Sequence, residues 1–480
     1  MSAIKNFFRR LLGSKDKEPT PAIPEAAQHD PTRESDRLIP SAAISEKPQA
    51  DLSSTADRET FVIGIDFGTA FTKVVVGDGV GIHHWAIPFD QSEPKSYLFP
   101  GILSVHHDSV KVDEGDGRAI DDIKLRIIEN DIGPETMSAA SAYLALILTK
   151  TRAFLIDTKI WSPHRAIPEW FINIGLPTDS YRDSDLQDLY IEITAAAWVA
   201  SFSEDPITLE LTQELHNTEK SSWFTLVPEA ENHGIPIENI AVFPEFVAQL
   251  AGYVRSDQRE NGLHLLLDIG SGTVDCSAFN IEERDGEDTF EVLAKSVRLL
   301  GVRFLQKARS EYPDTKSWLP KLTADQPDDD DYAASLGIPV DCLKSQDGDF
   351  FQRFFCQIGE AMKQTAQGGK VATGPELGVP IFLCGGGSRY YQYDDTLLEF
   401  IEIGLDAGAW RLYKKRIDVP GNLSATDLPK IDYDRLSVAY GLSIFPYNLG
   451  QVVEAQLKQQ PVSPTVNDSW RDNYIDKDQV

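Results

Sequence analysis

Residues 61–73 read FVIGIDFGTAFTK. The run Phe61 to Ile65 is apolar and rich in β-branched residues, the composition of a buried strand, and it leads into Asp66, Gly68 and Thr69, where the chain must turn. Such a turn suits an anion. Glycine lets backbone approach closely, successive amides can cradle oxygens, and an aspartate at the strand end can hold a hydrated divalent cation. Taken alone, the same residues also describe an ordinary hairpin.

The device recurs. Leu263 to Ile269 is a second apolar strand ending in aspartate, and it continues as DIGSGTVD, from Asp268 through Gly270, Ser271, Gly272 and Thr273 to Asp275. Two copies imply two facing lobes. A third apolar strand, Val379 to Cys384, breaks into Gly385, Gly386, Gly387, Ser388 and Arg389, where three glycines leave room for a flat ring against bare backbone.

In this order DFGTAFTK, DIGSGTVD and CGGGSR resemble the phosphate-1, phosphate-2 and adenosine motifs of the actin and heat-shock chaperone ATPase superfamily. The second and third are most similar to those of the DnaK-type, seventy-kilodalton heat-shock chaperones. The resemblance spans roughly residues 60–445, about the size of one such nucleotide-binding domain. It implies an α/β protein with a two-lobed actin-like ATPase fold, duplicated ribonuclease-H-like lobes around a nucleotide cleft, with ATP or ADP and magnesium as cofactors.

The resemblance also implies roles for residues. Asp66 and Asp268 would hold magnesium through water, and the amides of Gly68, Thr69, Ala70, Gly270, Ser271, Gly272 and Thr273 would cradle phosphates. Glu245, Thr273 and Asp275 would orient the attacking water. Two lysines compete for the phosphates: Lys73, seven residues beyond Asp66 as in actin-like proteins, and Lys124 in DDIKLR, placed as in the chaperones. For either, the alternative is a solvated surface charge. PEFVAQLAGY, from Pro244, resembles the family's first lobe-crossing segment, with Phe246 where proline is expected. RLSVAYGLSIF, Arg435 to Phe445, resembles the second crossing helix, with Ala439 and Gly441 at its close contact. Gly301 matches the second-lobe glycine turn, followed by Val302 where a second glycine is usual. Glu360 and Lys363 match the helix that contacts adenosine, with Gln364 in place of a base-stacking arginine; an ordinary exposed helix pair is the alternative there.

Composition sets outer bounds. The 480 residues are 41% hydrophobic, enough to bury substantial cores, and the formal charge of -30 argues against nucleic acid, whose phosphates need clustered Lys and Arg. No uninterrupted apolar run reaches the roughly 18 to 20 residues of a membrane span, and no signal-peptide pattern appears, so a cytoplasmic location is expected. Cys276, Cys342, Cys356 and Cys384 show no paired spacing and are expected reduced and buried. The doublets His83-His84 and His106-His107 read as surface polar residues rather than metal ligands.

Along the chain, residues 1–58 read as a flexible tail headed by an amphipathic helix over 1–13. There Ile4, Phe7, Phe8, Leu11 and Leu12 share one stripe beside Lys5, Arg9 and Arg10. That helix would dock on an anionic membrane surface or in a partner's groove; a frayed terminus is the alternative. Residues 59–255 form the expected first lobe, 256–432 the second, 433–448 a helix returning to the first, and 449–480 a disordered tail. Within the second lobe, 313–348, including Asp328 to Asp331, reads as a surface insertion, its acidic run a solvated loop or a cation binder.

About thirty residues after Pro446 cannot build the family's peptide clamp, so the expected function is a chaperone-like, ATP-hydrolysing switch acting on a protein client or co-chaperone without its own clamp. An actin-like filament former, membrane-attached through residues 1–13, is the second reading, and a small-molecule kinase of the same superfamily the third.

Overall fold

The computed structural model describes residues 59–454, apart from 91–95, 113–115, 163, 165–166, 178–179, 285–286, 311–328, 368–377 and 407–410. The 1–13 segment and residues 455–480 therefore lie outside the described residues. Sixteen strands are present among those described: β1 Thr60–Asp66, β2 Phe71–Gly77, β3 His84–Ala86, β4 Phe99–Pro100, β5 Leu103–Val105, β6 Val110–Lys111, β7 Arg118–Ile120 and β8 Glu169–Leu176, then β9 Ile240–Pro244, β10 Gly262–Ile269, β11 Val274–Arg284, β12 Glu287–Arg298, β13 Val379–Cys384, β14 Leu412–Lys415, β15 Leu423–Ser424 and β16 Gln451–Glu454.

Two mixed sheets share one plan. The first runs β15-β3-β2-β1-β8-β9, with β4 added on β2, and the second runs β14-β13-β10-β11-β12-β16. Each begins with an antiparallel meander of three strands, β1-β2-β3 or β10-β11-β12. Each then sets two parallel strands beside the first, β8 and β9 or β13 and β14. A late strand finally lies parallel on the meander's outer edge, β15 on β3 and β16 on β12. The chain is thus an α/β protein with two mixed sheets, consistent with two lobes. β1 and β13 read as unbroken apolar runs because both their faces are covered, as central strands between helical layers require.

Helices separate and flank the sheets. Pro134–Asp157 and Ser184–Ala200 cover the outer face of the first sheet, and Val340–Gln367 and Tyr391–Asp406 that of the second. Between the sheets lie Glu245–Val254 and Ser437–Leu442, whose side chains join Val75 and Ala86 of the first sheet to Leu266, Phe279 and Phe382 of the second. Pro134–Asp157 is long and apolar enough to cross a membrane by length and composition alone, although its apolar residues form no uninterrupted run of that length. It is the core helix of the first layer, with Tyr143, Leu144, Ile147 and Leu148 fully buried.

Several boundaries differ from the sequence reading. β15, placed by sequence in the second lobe, pairs with β3 of the first sheet, and β16, expected within a disordered tail, extends the second. Both are short edge strands held by neighbours rather than by an apolar run of their own. The returning helix is confined to Ser437–Leu442, preceded by a 3-10 turn over Lys430–Arg435. Asp329–Leu336 and the start of Val340–Gln367 replace the expected surface loop. Asp329, 7% exposed, accepts from Arg309 and from Gln392 at 2.7 Å and so is held by a buried guanidinium, whereas Asp330 and Asp331 are exposed to solvent as expected of the run. Cys276 and Cys384 are buried as expected, whereas Cys342 and Cys356 are partly exposed.

Phe246, at the expected proline, packs on Phe279 and Phe290 of the second sheet with ring centroids 5.2 and 6.0 Å apart. It anchors the middle helix by apolar contact instead of stiffening its entry.

Buried histidines add a pH response. His84, expected at the surface, is buried, and its Nδ1 lies 2.6 Å from Ser443 Oγ at the end of the crossing helix. His264 stacks between Phe279 and Phe382 and meets Tyr253 Oη at 3.1 Å. Burial lowers each from its usual value to about 4. Since the unfolded imidazole titrates near ~6.5, their stabilising contribution is complete above that pH and is lost as pH falls toward 4, because only the unfolded chain gains the proton there. His264→Phe keeps the stack, so its melting temperature should fall less than that of the unaltered chain between pH 6.5 and 4.5, as read by thermal denaturation. An equal fall in both proteins would remove His264 from this account.

Candidate functional site

Hairpin register makes the two acidic turns equivalent. In β1-β2 Asp66 pairs across the ladder with Lys73, and in β10-β11 Asp268 pairs with Asp275. Both partners stand seven residues after their aspartate, yet one hairpin carries opposite charges and the other like charges. Lys73 Nζ donates to Asp66 Oδ2 at 2.8 Å. The 270–273 turn is tied from behind: Gly301, Val302 and Arg303 donate their amides to the carbonyls of Gly272, Gly270 and Ser271 at 3.1, 3.2 and 2.9 Å. Within the turn Gly270 N donates to Thr273 O at 2.9 Å, so the Gly270 amide expected among the phosphate donors is already satisfied. Gly301 supports the turn without lining the cleft; a Cβ there would come within 2.4 Å of Ser271 O. The third turn closes the same corner, because Cys384 pairs with Asp268, and Gly385, at φ 80°, would place a Cβ 2.2 Å from Asp268 Oδ1.

The cleft between these turns holds about 1020 Å³ of space, counting its open mouth. Its floor is the pair of middle helices. Five carboxyl groups line it, Asp66, Glu245, Asp268, Asp275 and Asp434, against the three cations Lys73, Lys124 and Arg435. Counted as fully ionised, the acids exceed the cations by two, the charge a divalent cation would neutralise on displacing their protons.

The pKa shifts follow from this crowding. Burial, then the neighbouring Glu245 and Asp66 carboxylates, raise Asp268 to about 7; burial, Glu245 and Asp268 raise Asp275 well above the usual range. Lys124, expected by one reading at the surface, is 6% exposed and donates to Glu245 Oε1 at 2.5 Å. Burial pulls its pKa down, but Glu245, Tyr190 and Asp66 outweigh that and hold the ammonium charged.

Most residues singled out from the sequence meet here. Asp66, Gly68, Thr69, Ala70, Lys73, Lys124, Glu245, Asp268, Gly270, Ser271, Gly272, Thr273, Asp275, Gly385, Gly386 and Gly387 all line the cleft. Ser388 and Arg389 do not: Ser388 Oγ donates to Gly385 O at 2.7 Å and shapes the turn, and Arg389 pairs with Asp432. Glu360 and Lys363 are exposed on their helix and outside the lining, with Glu360 paired to Arg298. Gln249, Asp434, Arg435 and Val438 line it without having been singled out. A signal existed for Gln249, a lone amide on the otherwise apolar face of FVAQLAGYV.

A cation fits these residues through its water shell. Among the described residues no three His, Cys, Asp or Glu side chains come together to ligate one directly, while the cleft offers several separate acidic oxygens. Arg303, next to Val302 of the lining, pairs with Asp122, two residues before Lys124.

Fold and site together define an α/β protein in which two like-built sheets present matching acidic glycine turns to one cleft. Compared with known proteins, the chain matches no protein-family model and no curated sequence.

Proposed function

We propose that this chain is an ATP-binding and ATP-hydrolysing switch of the actin and heat-shock chaperone ATPase type, with ribonuclease-H-like lobes, acting on a protein client or co-chaperone. The observation that carries the reading is the duplication at the cleft: hairpins of the same register place Asp66 and Asp268 at equivalent strand ends, each followed by a glycine turn. Amides of both turns bind the phosphates, Asp66 and Asp268 hold hydrated magnesium, and bare backbone at Gly385 to Gly387 receives the adenosine. Magnesium held by Asp66 and Asp268 through water would supply positive charge against that developing on the transferred phosphoryl oxygens.

Glu245, held by Lys124, accepts a hydrogen bond from the attacking water together with Asp275 and Thr273. Lys73, beside Asp66, and Lys124, beside Glu245, place two positive charges along the phosphate path. A terminal phosphate touching both turns favours closed lobes, and its loss removes that bias.

Calorimetry with magnesium present tests the reading. Heat on adding ATP or ADP is expected, and its absence for both nucleotides overturns it. The Asp66 to Lys73 pairing favours a second reading, a filament former of the actin type with residues 1–13 as its anchor to an anionic surface. ATP-dependent sedimentation of the purified chain separates the two: a pelleted polymer replaces the switch.

A further inference from the structure

Gln249 lies one helical turn beyond Glu245 on Glu245–Val254, so the two side chains leave the same face, and both line the cleft. It is 1% exposed, yet neither Nε2 nor Oε1 meets a partner in the chain. Leaving both ends of a buried amide unpaired is unfavourable, and the helix's other buried side chains are apolar, Phe246, Val247 and Leu250 among them, except Tyr253, whose hydroxyl meets His264. An apolar residue here would make a more stable protein. Two further cleft atoms are buried without partners, Ser271 Oγ and Asp275 Oδ1. Unsatisfied polar groups converging on one space indicate a ligand that completes them.

We propose that Gln249 is a positioning residue for the hydrated divalent cation, its Oε1 accepting a hydrogen bond from a cation-bound water while Nε2 donates to a neighbouring carboxylate. This rests on the nucleotide reading above. A neutral amide suits the place, because it supplies an acceptor without adding charge to a cleft that already carries five carboxyl groups. It also supplies a donor, which a sixth carboxylate would not.

The test uses the full chain with Gln249→Leu and Gln249→Glu. Calorimetry gives the magnesium concentration that half-saturates ATP binding, ATP affinity in chelator, and, with melting curves, the stability of the nucleotide-free protein. For Gln249→Leu the half-saturating magnesium should rise about tenfold or more, the size typical of losing an outer-shell partner, with metal-free ATP affinity unchanged and the melting temperature higher. Gln249→Glu restores the acceptor, so magnesium should bind at least as tightly as in the unaltered chain while the nucleotide-free protein loses stability. Unchanged magnesium dependence in Gln249→Leu overturns the proposal, as does an equal loss of ATP affinity with and without metal. Should Gln249→Leu fail to fold, Gln249→Glu decides: weakened magnesium binding overturns the proposal. An unaltered chain that gives no heat with magnesium and nucleotide sinks the ATPase reading itself, a result distinct from either variant's.

Discussion

Asp268→Ala should lower ATP turnover by at least about a hundredfold while leaving a folded protein, because it deletes one of the two carboxylates proposed to hold the hydrated cation against developing phosphoryl charge. Stability moves the other way. Burial, with Glu245 and Asp66 adding to it, holds the Asp268 carboxyl at about 7, whereas an unfolded aspartate titrates near ~3.9. Between those values the folded chain keeps a proton that the unfolded chain has lost, so this group's contribution to stability falls as pH rises from about 4 to about 7. Removing the carboxyl removes that slope. The variant, relative to the unaltered chain, should therefore melt higher at pH 8 than the comparison at pH 5 would suggest. Phosphate-release kinetics and melting curves at the two pH values check both halves; unaltered turnover refutes the assignment of Asp268, and an unchanged pH slope refutes the account of its burial.

How far the sequence carried this reading depends on the range of the interactions involved. Strands β1, β10 and β13 were legible because covered faces demand long apolar runs, and the turns because glycine and aspartate announce themselves locally. β15 and β16 were not, being edge strands of two and four residues whose pairing with β3 and β12 joins distant segments. Charge was the least legible quantity. Lys124 is buried because Glu245, 121 residues away in sequence, neutralises it, and Asp329 because Arg309 turns inward to meet it. Neither partner can be chosen from composition, since any acidic or basic residue looks solvated until the fold places it. His84 follows the same logic, its environment set by Ser443 at the far end of the chain. The two lysines that competed in the sequence both line the cleft, each already paired with a different carboxylate.

The second large effect concerns the floor of the cleft. Gly441 faces the neighbouring middle helix so closely that a Cβ would sit 1.9 Å from Ala248 O, and Gly64 of β1 would place one 2.4 Å from Ala439 O. The crossing helix is thus pressed against backbone on two sides. In Gly441→Ala two effects oppose. Helix propensity favours alanine by about 1 kcal/mol, and overpacking disfavours it by about 1–3 kcal/mol. Because the obstacle is a carbonyl rather than a side chain that can rotate, the upper end applies and the net result is a loss of about 2 kcal/mol. The two helices can accept the methyl only by separating. Ala248, the residue contacted, lies between Glu245 and Gln249 in the chain, and Val438 on the facing helix also lines the cleft, so nucleotide affinity should fall about tenfold or more along with the melting temperature. Gly421→Ala is the matched control, since its Cβ would meet nothing within 4 Å, and it should leave both quantities unchanged. If Gly441→Ala melts at or above the unaltered chain and binds nucleotide equally well, propensity has won, and the close approach of the two helices does not hold the floor of the cleft in place.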